Sequence, residues 1–380
     1  MPVTAAEMCE CLNVSESAFY DAYQEARNEQ VIVEYCKRER EFVYLADYYR
    51  AERYIADRIT VIQDFSSPED NENFQKMIDQ QEVETGIHYE TLQRQAIVSA
   101  LSRGILILTG GPGTGKTTTL NAMIALNEKQ GYRVMLAAPT GRAAQRISDL
   151  TGYEAKTIHR LLEVEFDMTG GTRFLHNAAN PLQCDVMVVD EMSMVDVLLF
   201  ESLLRALRLG CKLIMVGDSD QLPSVGAGNL LKDLIDSGAV PTIELKQIFR
   251  QAQQSSIVTN AHRIIQGTYP DLTQKNSDFF FFQRLKPEDV TKLLLDLVQV
   301  RLPKAYQYSP TEDIQVISPS RKGVLGVIEL NRALQQRLNP PQKGRQEVKS
   351  ILYTFREGDK IMQTKNNYDI VWHKDGNSGT

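Results

Sequence analysis

The chain has 380 residues, 42% hydrophobic and 24% charged, with a net charge of −7 at pH 7. That length allows two or three domains of ordinary globular composition, and the acidic balance excludes polyanion binding by the surface as a whole, so any nucleic-acid contact has to be made by a local groove. No run of about 18 apolar residues is present and the N-terminus lacks the basic-then-apolar layout of a signal peptide, so the expected location is cytoplasmic.

Along the chain, residues 1–65 read as a small helical, winged-helix-like module. Its short alternating runs VIVEY and EFVYL flank the charged KRER, and helical spacing follows from Tyr48 to Ile62. A charge run at a hairpin tip is usually only solvated, with nucleic-acid contact as the competing reading. Residues 66–85, with SSPEDNENF, read as a polar linker. The five cysteines show no answering metal-ligand spacing and read as buried or incidental thiols.

A regular alternation of strand and helix patterns comes next. ILILTG (105–110), RVMLAAP (133–139), DVMVVDE (185–191), KLIMVGD (212–218) and TIEL (242–245) are near-continuous apolar runs, as parallel strands covered on both faces require. A second α/β pattern follows, with strands expected at DFFFFQ and DIQVISPS between helices. The phenylalanines at 279–282 could stack bases, but so apolar a run reads first as a core strand.

Gly110 to Thr117 spells GGPGTGKT, between a strand pattern and a helix pattern. Glycines there permit the turn whose N–H groups cradle phosphates, and the helix N-terminus adds favourable partial charge. Gly111, Pro112, Gly113, Thr114, Gly115, Lys116, Thr117 and Thr118 are therefore expected to bind ATP. Lys116 would reach the β- and γ-phosphates and Thr117 would ligate Mg²⁺. The strand DVMVVDE ends in Asp190, suited to hold Mg²⁺, and Glu191, suited to orient or deprotonate the attacking water; a solvated strand end is the bland alternative. VGDSDQLPSVGAG extends the next strand, and Asp218 and Gln221 are expected near the triphosphate because open α/β sheets bind ligands beyond their strands' carboxyl ends. Gln221 can both donate and accept, which suits a γ-phosphate sensor; a plain structural turn is the alternative.

In this order, GGPGTGKTTT, APTGRAAQRI, TIHRLL, VVDEMSMVD, GDSDQLPSVGAG and QIFRQ…SSIVTNAHRIIQG resemble the RecD-like DNA helicases of superfamily 1B. The resemblance implies tandem RecA-like P-loop NTPase domains: a first domain at 86–243, a partial second domain at 244–356, and at 357–380 the start of an SH3-like β-barrel insertion. It implies that Gln93 reads adenine, where a lone Gln would otherwise mean little. It implies that Arg250 reaches the γ-phosphate, where without the resemblance it would be read as a surface residue. It also implies that Pro139, Thr140, Gly141, Arg142, Thr157 and His159 contact single-stranded DNA, and that Ser318, Arg321 and Lys322 contact it from the second domain; His159 alone would be read as a core histidine.

Later motifs of the family do not follow REGDKIMQTKNNYDIVWHKDGNSGT, so the sequence is expected to be part of a longer enzyme. The expected function is an ATP-dependent DNA helicase motor moving 5′→3′ in DNA repair or recombination, with duplex junctions and repair-complex proteins as partners and no membrane. The alternatives are an RNA or RNA/DNA helicase of the same superfamily, or a nucleotide-gated binding module that does not translocate.

Overall fold

Ser15 opens the helix Glu16–Asn28: its hydroxyl accepts from the Ala18 N–H at 3.2 Å, the side-chain cap that helix N-termini favour. In a computed structural model of the chain, the described residues are 5–37, 40–66, 71–166, 172–249, 253–273, 278–351, 353–362, 372–374 and 377–379. They fall into two units, Met1–Phe279 and Phe280–Thr380.

The first unit begins with α1 (Ala5–Leu12), α2 (Glu16–Asn28), the antiparallel hairpin β1 (Ile32–Lys37) and β2 (Arg40–Leu45), and α3 (Ala46–Gln63). The KRER tip includes Arg38 and Glu39, which lie outside the described residues. Then come α4 (Asn71–Thr85), α5 (Thr91–Ser102), β3 (Ile105–Gly110), α6 (Lys116–Lys129), β4 (Val134–Ala138), α7 (Gly141–Thr151), β5 (Ala155–Thr157) and α8 (Ile158–Leu162). After the small hairpin β6 (Val164–Phe166) and β7 (Thr172–Phe174) follow β8 (Val186–Val189), α9 (Val197–Ala206), β9 (Lys212–Gly217), α10 (Leu230–Asp236) and β10 (Thr242–Leu245). All five expected strand runs form, in one six-stranded sheet of order β10-β3-β9-β8-β4-β5 whose neighbours pair in parallel.

Strand residues alternate between two cores. Ile105, Ile107, Met187, Val189, Leu213 and Met215 face one helix layer, and Leu106, Leu108, Val186, Val188, Ile214 and Val216 face the other. Two-sided burial is why these strands lack polar alternation. The result is a three-layer α/β fold, and it puts the loops after β3, β8, β9, β4 and β5 at one edge, the carboxyl ends of the strands.

Several expectations from the sequence change here. Residues 71–85, read as linker, form α4, which buries Phe74 and Ile78 in the second core; the polar face that suggested a linker is its solvent side. Helix α3, assigned to the preceding module, buries Ala51, Ile55, Ile59 and Ile62 in the first core, and the Arg58 guanidinium donates to the Leu207 carbonyl. The expected boundary at 243/244 falls inside β10, which pairs with β3; a cut there would break a ladder.

The second unit contains helices Pro287–Asp296 and Val327–Leu338 and two antiparallel hairpins, Glu347–Lys349 with Thr354–Arg356 and Trp372–Lys374 with Asn377–Gly379. Its helix start is well specified: Pro287 lies in the first turn with Glu288 and Asp289, which favour the positive end of the helix dipole. The expected strands at DFFFFQ and DIQVISPS do not form, and the described residues of this unit hold no parallel sheet. A strand needs a ladder partner, and none lies beside either segment among the described residues. Phe280, Phe281 and Phe282 are 47%, 53% and 45% exposed, so the core-strand reading of that run is also corrected. Asp359 instead organises the unit: it accepts from the Asn339 amide at 2.8 Å, from the Gln335 amide, and from the Arg356 N–H at 2.7 Å.

Candidate functional site

Every residue of β3 is buried, and the chain leaves it through Gly110, Gly113 and Gly115 at φ +153°, +75° and +83° before α6 begins at Lys116. Gly113 and Gly115 occupy left-handed backbone that a side chain would strain. The Lys116 ammonium folds over its own loop, donating to the carbonyls of Gly110 and Gly111, the latter at 2.9 Å. Thr114 is buried and its hydroxyl also donates to Gly111 O, at 2.9 Å. Thr117 and Thr118 lie half-buried in the first turn of α6.

Three carboxylates gather on this lysine from the ends of the next two strands in the sheet. Burial pushes the Lys116 ammonium below its ordinary range, and Asp218, Asp190 and Glu191, in that order, pull it back. Burial likewise pushes the Asp190 carboxyl up, against the attraction of Lys116 and Arg146. Asp218, at the end of β9, is 4% exposed, and its Oδ1 accepts from the Asp220 N–H at 3.0 Å. Glu191 sits at φ +54°, ψ +42°, rare for a residue with a side chain; strain of this kind costs roughly 1–3 kcal/mol and here re-aims the chain as β8 ends. Its carboxylate lies 3.9 Å from the Arg146 guanidinium on α7.

These residues fit a magnesium–triphosphate. An enclosed cation beside a glycine cradle offers what phosphate oxygens need, and a buried carboxyl held high by desolvation gains most from a divalent cation. Asp190 and Thr117 would hold the ion, whose chemistry there is charge neutralisation on the phosphates.

Gln93 is 2% exposed. It closes the capping box of α5, accepting from the Glu90 N–H at 3.0 Å, and its amide nitrogen is 3.4 Å from Gly115 O. A cleft of about 710 Å³ opens beside it, lined by Tyr89, Gln93, Thr114, Leu245 and Gln247 among others. Gln93 thus couples the cleft to the phosphate loop through one buried amide.

The loop after β9 is anchored at both ends and exposed between. Ser219 N–H donates to the Thr109 hydroxyl at 3.4 Å, tying its start to β3. Gly226 and Gly228 press on the N-terminus of α9, where a Cβ at either would come within 2.6 Å of Asp196 and 2.5 Å of Val197 respectively. Gln221, Leu222 and Val225 face solvent.

Of the residues expected on DNA, those of the first unit come together. The register Ala138↔Thr157 sets the ends of β4 and β5 side by side. Thr140 caps α7 through the Ala143 N–H at 3.3 Å, and Thr157 caps α8 through the Arg160 N–H at 3.1 Å. Pro139 is half-buried and follows the end of β4, while Gly141 and Arg142 are exposed just beyond it. His159 is exposed, its ring 5.9 Å from that of Phe174, so it is not the core histidine it resembled in isolation. In the second unit Arg321 and Lys322 are exposed, whereas the Ser318 hydroxyl turns inward to the carbonyls of Ser320 and Leu325, at 3.1 and 2.7 Å. Arg250 lies outside the described residues.

The sequence reading passed over three residues of this site. Arg146 lies one helical turn after Arg142, a spacing that could have revealed it. Phe249 donates its N–H to Gly113 O at 3.2 Å, and His262 approaches Pro112 O at 3.3 Å. Nothing local signals a contact across about 140 residues.

The parallel sheet, the glycine loop and the converging lysine and carboxylates define a P-loop nucleotide-binding protein. Residues 93–227 match the AAA domain family, and residues 330–371 match the ATP-dependent RecD-like DNA helicase SH3 domain. The ATP-dependent RecD2 DNA helicase of Deinococcus radiodurans is 35% identical over 327 residues, covering 86% of this chain and 42% of that protein. The RecBCD enzyme subunit RecD of Mycolicibacterium smegmatis is 42% identical over 195 residues, 45% of this chain and 35% of that one. The chain is RecD-like, and it spans less than half the length of these two relatives. Among solved structures, the Pif1 helicase from Candida albicans is 24% identical, with 56% of each chain covered and a TM-score of 0.38, too low to bear on the fold. Among the described residues no helix is long and apolar enough to cross a membrane.

Proposed function

We propose that this chain is the nucleotide-binding part of an ATP-dependent DNA helicase motor that moves 5′→3′ on single-stranded DNA and unwinds duplex ahead of it. The observation that carries the reading is the meeting of Lys116 with Asp190, Glu191 and Asp218 at the mouth of a glycine-lined loop. In this proposal the glycine-loop N–H groups bind the β-phosphate and Lys116 leaves its two loop carbonyls for the β/γ oxygens. Glu191 orients the attacking water and takes its proton; its αL backbone and the nearby Arg146 set its direction. Gln93 and the adjoining cleft receive adenine.

The exposed loop 219–228 links this chemistry to nucleic acid: Asp218 stays with the phosphate site, while Gln221 senses the γ-phosphate. Arg142, Thr140, Thr157 and His159, side by side at the sheet edge, would grip the DNA backbone, with Arg321 and Lys322 adding contacts from the second unit. Such contacts are independent of sequence and weaken with salt. Arg250 would complete the γ-phosphate site, and its always-charged fork suits that role. The relatives called RecD2 and RecD support a place in DNA repair or recombination, hence in the cytoplasm with the DNA.

The test is ATP hydrolysis by the full-length protein with single-stranded DNA, single-stranded RNA or neither. Stimulation by DNA together with unwinding of a substrate bearing a 5′ tail is expected. Stimulation by RNA alone would move the assignment to an RNA helicase, and nucleotide binding without hydrolysis would leave a nucleotide-gated binding module.

A further inference from the structure

We propose that His262 is a positioning residue for nucleotide phosphates, acting with the Phe249 backbone as an outer clamp on the phosphate loop; this rests on the nucleotide-binding reading above. Each carbonyl from Gly110 to Gly113 accepts a hydrogen bond. Lys116 serves the first two from within the motif. The other two are served from outside it: His262 Nε2 lies 3.3 Å from Pro112 O, and the Phe249 N–H donates to Gly113 O at 3.2 Å. A carbonyl oxygen can only accept, so the imidazole donates here through Nε2–H.

The consequence follows from peptide geometry. In a trans peptide the carbonyl of one residue points opposite to the N–H of the next. Holding Pro112 O toward His262 turns the Gly113 N–H to the opposite face of the loop, and holding Gly113 O toward Phe249 does the same for Thr114. Those N–H groups are the donors a phosphate cradle uses. Left to themselves the two peptides flanking Gly113 would flip easily, since glycine takes either sign of φ at little cost and Gly113 already sits at +75°.

Packing supports the same assignment. A Cβ at Gly111 would come within 2.6 Å of the His262 ring, and one at Gly115 within 2.7 Å of the Phe249 ring and 2.5 Å of the Gln93 amide. The space left by the loop's missing side chains is filled by these clamping residues. His262 stands on the helix Ser256–Ile265, whose start is held by Asp278 through the Ser256 N–H at 2.7 Å and the Ile257 N–H at 3.2 Å. A shift of that helix would therefore loosen the loop's outward carbonyls and, with them, its grip on phosphate.

The experiment compares ADP and AMP binding to the full chain by calorimetric competition, in wild type, His262→Leu and His262→Gln. ADP probes the β-phosphate, and AMP serves as the reference for everything else. His262→Leu keeps bulk but loses the donor. It is expected to weaken ADP about tenfold, the worth of one hydrogen bond, with AMP affinity and the melting temperature of the nucleotide-free protein unchanged. His262→Gln restores a donor and is expected to return ADP affinity to within about threefold of wild type. Unchanged ADP binding in His262→Leu, an equal loss of ADP and AMP, or no rescue by Gln overturns the clamp. A wild-type chain that binds no ADP overturns the nucleotide reading itself, a result distinct from failure of the clamp alone.

Discussion

The Lys116 ammonium donates to the carbonyl of Gly111, five residues earlier, at 2.9 Å, so the cation proposed to bind phosphate rests on its own loop. Removing it leaves two carbonyls beside a space open to water and removes a charge whose burial is unfavourable. We predict that Lys116→Ala lowers ATP hydrolysis by at least ~10²-fold, the scale seen when one preorganised donor is lost from a charged transition state, while the melting temperature does not fall. Hydrolysis at the wild-type rate would remove Lys116 from the mechanism.

Gly115→Ala tests the cradle. The substitution places a methyl at φ +83°, 2.5 Å from the Gln93 amide and 2.7 Å from the Phe249 ring. The left-handed backbone alone costs roughly 1–2 kcal/mol, and the clash adds to it. Nucleotide affinity measured by titration should drop by more than about tenfold; an alanine variant that binds as tightly as the parent would mean the loop does not hold phosphate in this conformation.

Gln221 is exposed and its loop is anchored elsewhere, through Thr109 and the start of α9. Gln221→Ala is therefore expected to leave folding and nucleotide affinity within about twofold of wild type, and to reduce the stimulation of hydrolysis by DNA in the full-length protein. Normal DNA stimulation in the variant would reduce this loop to a turn.

Lys212 offers a pH signature unrelated to nucleotide. Its ammonium is buried, donates to Leu101 O at 2.6 Å and lies 4.5 Å from the Tyr132 ring centre, and burial pushes it from 10.5 down to about 8. Between those values the unfolded chain holds a proton that the folded chain has released, so stability rises as pH increases from about 8 to 10.5. At about 1.4 kcal/mol per unit the gain is at most ~3 kcal/mol. Lys212→Met should flatten this rise in denaturant midpoint; identical slopes in both proteins would show that the lysine is not desolvated.

Helix α3 bears on where the ATPase unit starts. Each of its three buried isoleucines contributes roughly 1.5–3 kcal/mol, which together rivals the 5–15 kcal/mol stability typical of a whole domain. A chain beginning at residue 66 should fail to show cooperative unfolding, and Ile59→Ala in the full chain should cost about 2–5 kcal/mol. Cooperative melting of the shortened chain at the parent's midpoint would restore the boundary at residue 65.

Much of the site was legible because its chemistry is contiguous. A strand, a glycine loop and a helix that starts on Lys116 occupy one short stretch, and the apolar runs ending in Asp190 and Asp218 announce two-sided burial followed by a polar edge. Gln93 and the residues after β4 and β5 were reached through resemblance, and the register Ala138↔Thr157 then brought the latter together. The misreadings share a cause. The solvent face of α4 imitates a linker when its buried Phe74 and Ile78 are weighed against so many polar neighbours. The run at 279–282 has strand composition, yet composition supplies no ladder partner.

By itself, then, the sequence determined the phosphate loop, the carboxylates that follow the strands and the parallel α/β pattern, since each depends on residues within a few positions of one another. Tertiary structure decided which segments share a core and which distant groups hold the loop: α3 against α9, β10 beside β3, Phe249 and His262 on the carbonyls of Gly113 and Pro112. Those contacts depend on which surfaces meet after burial, and no local period or spacing carries that information.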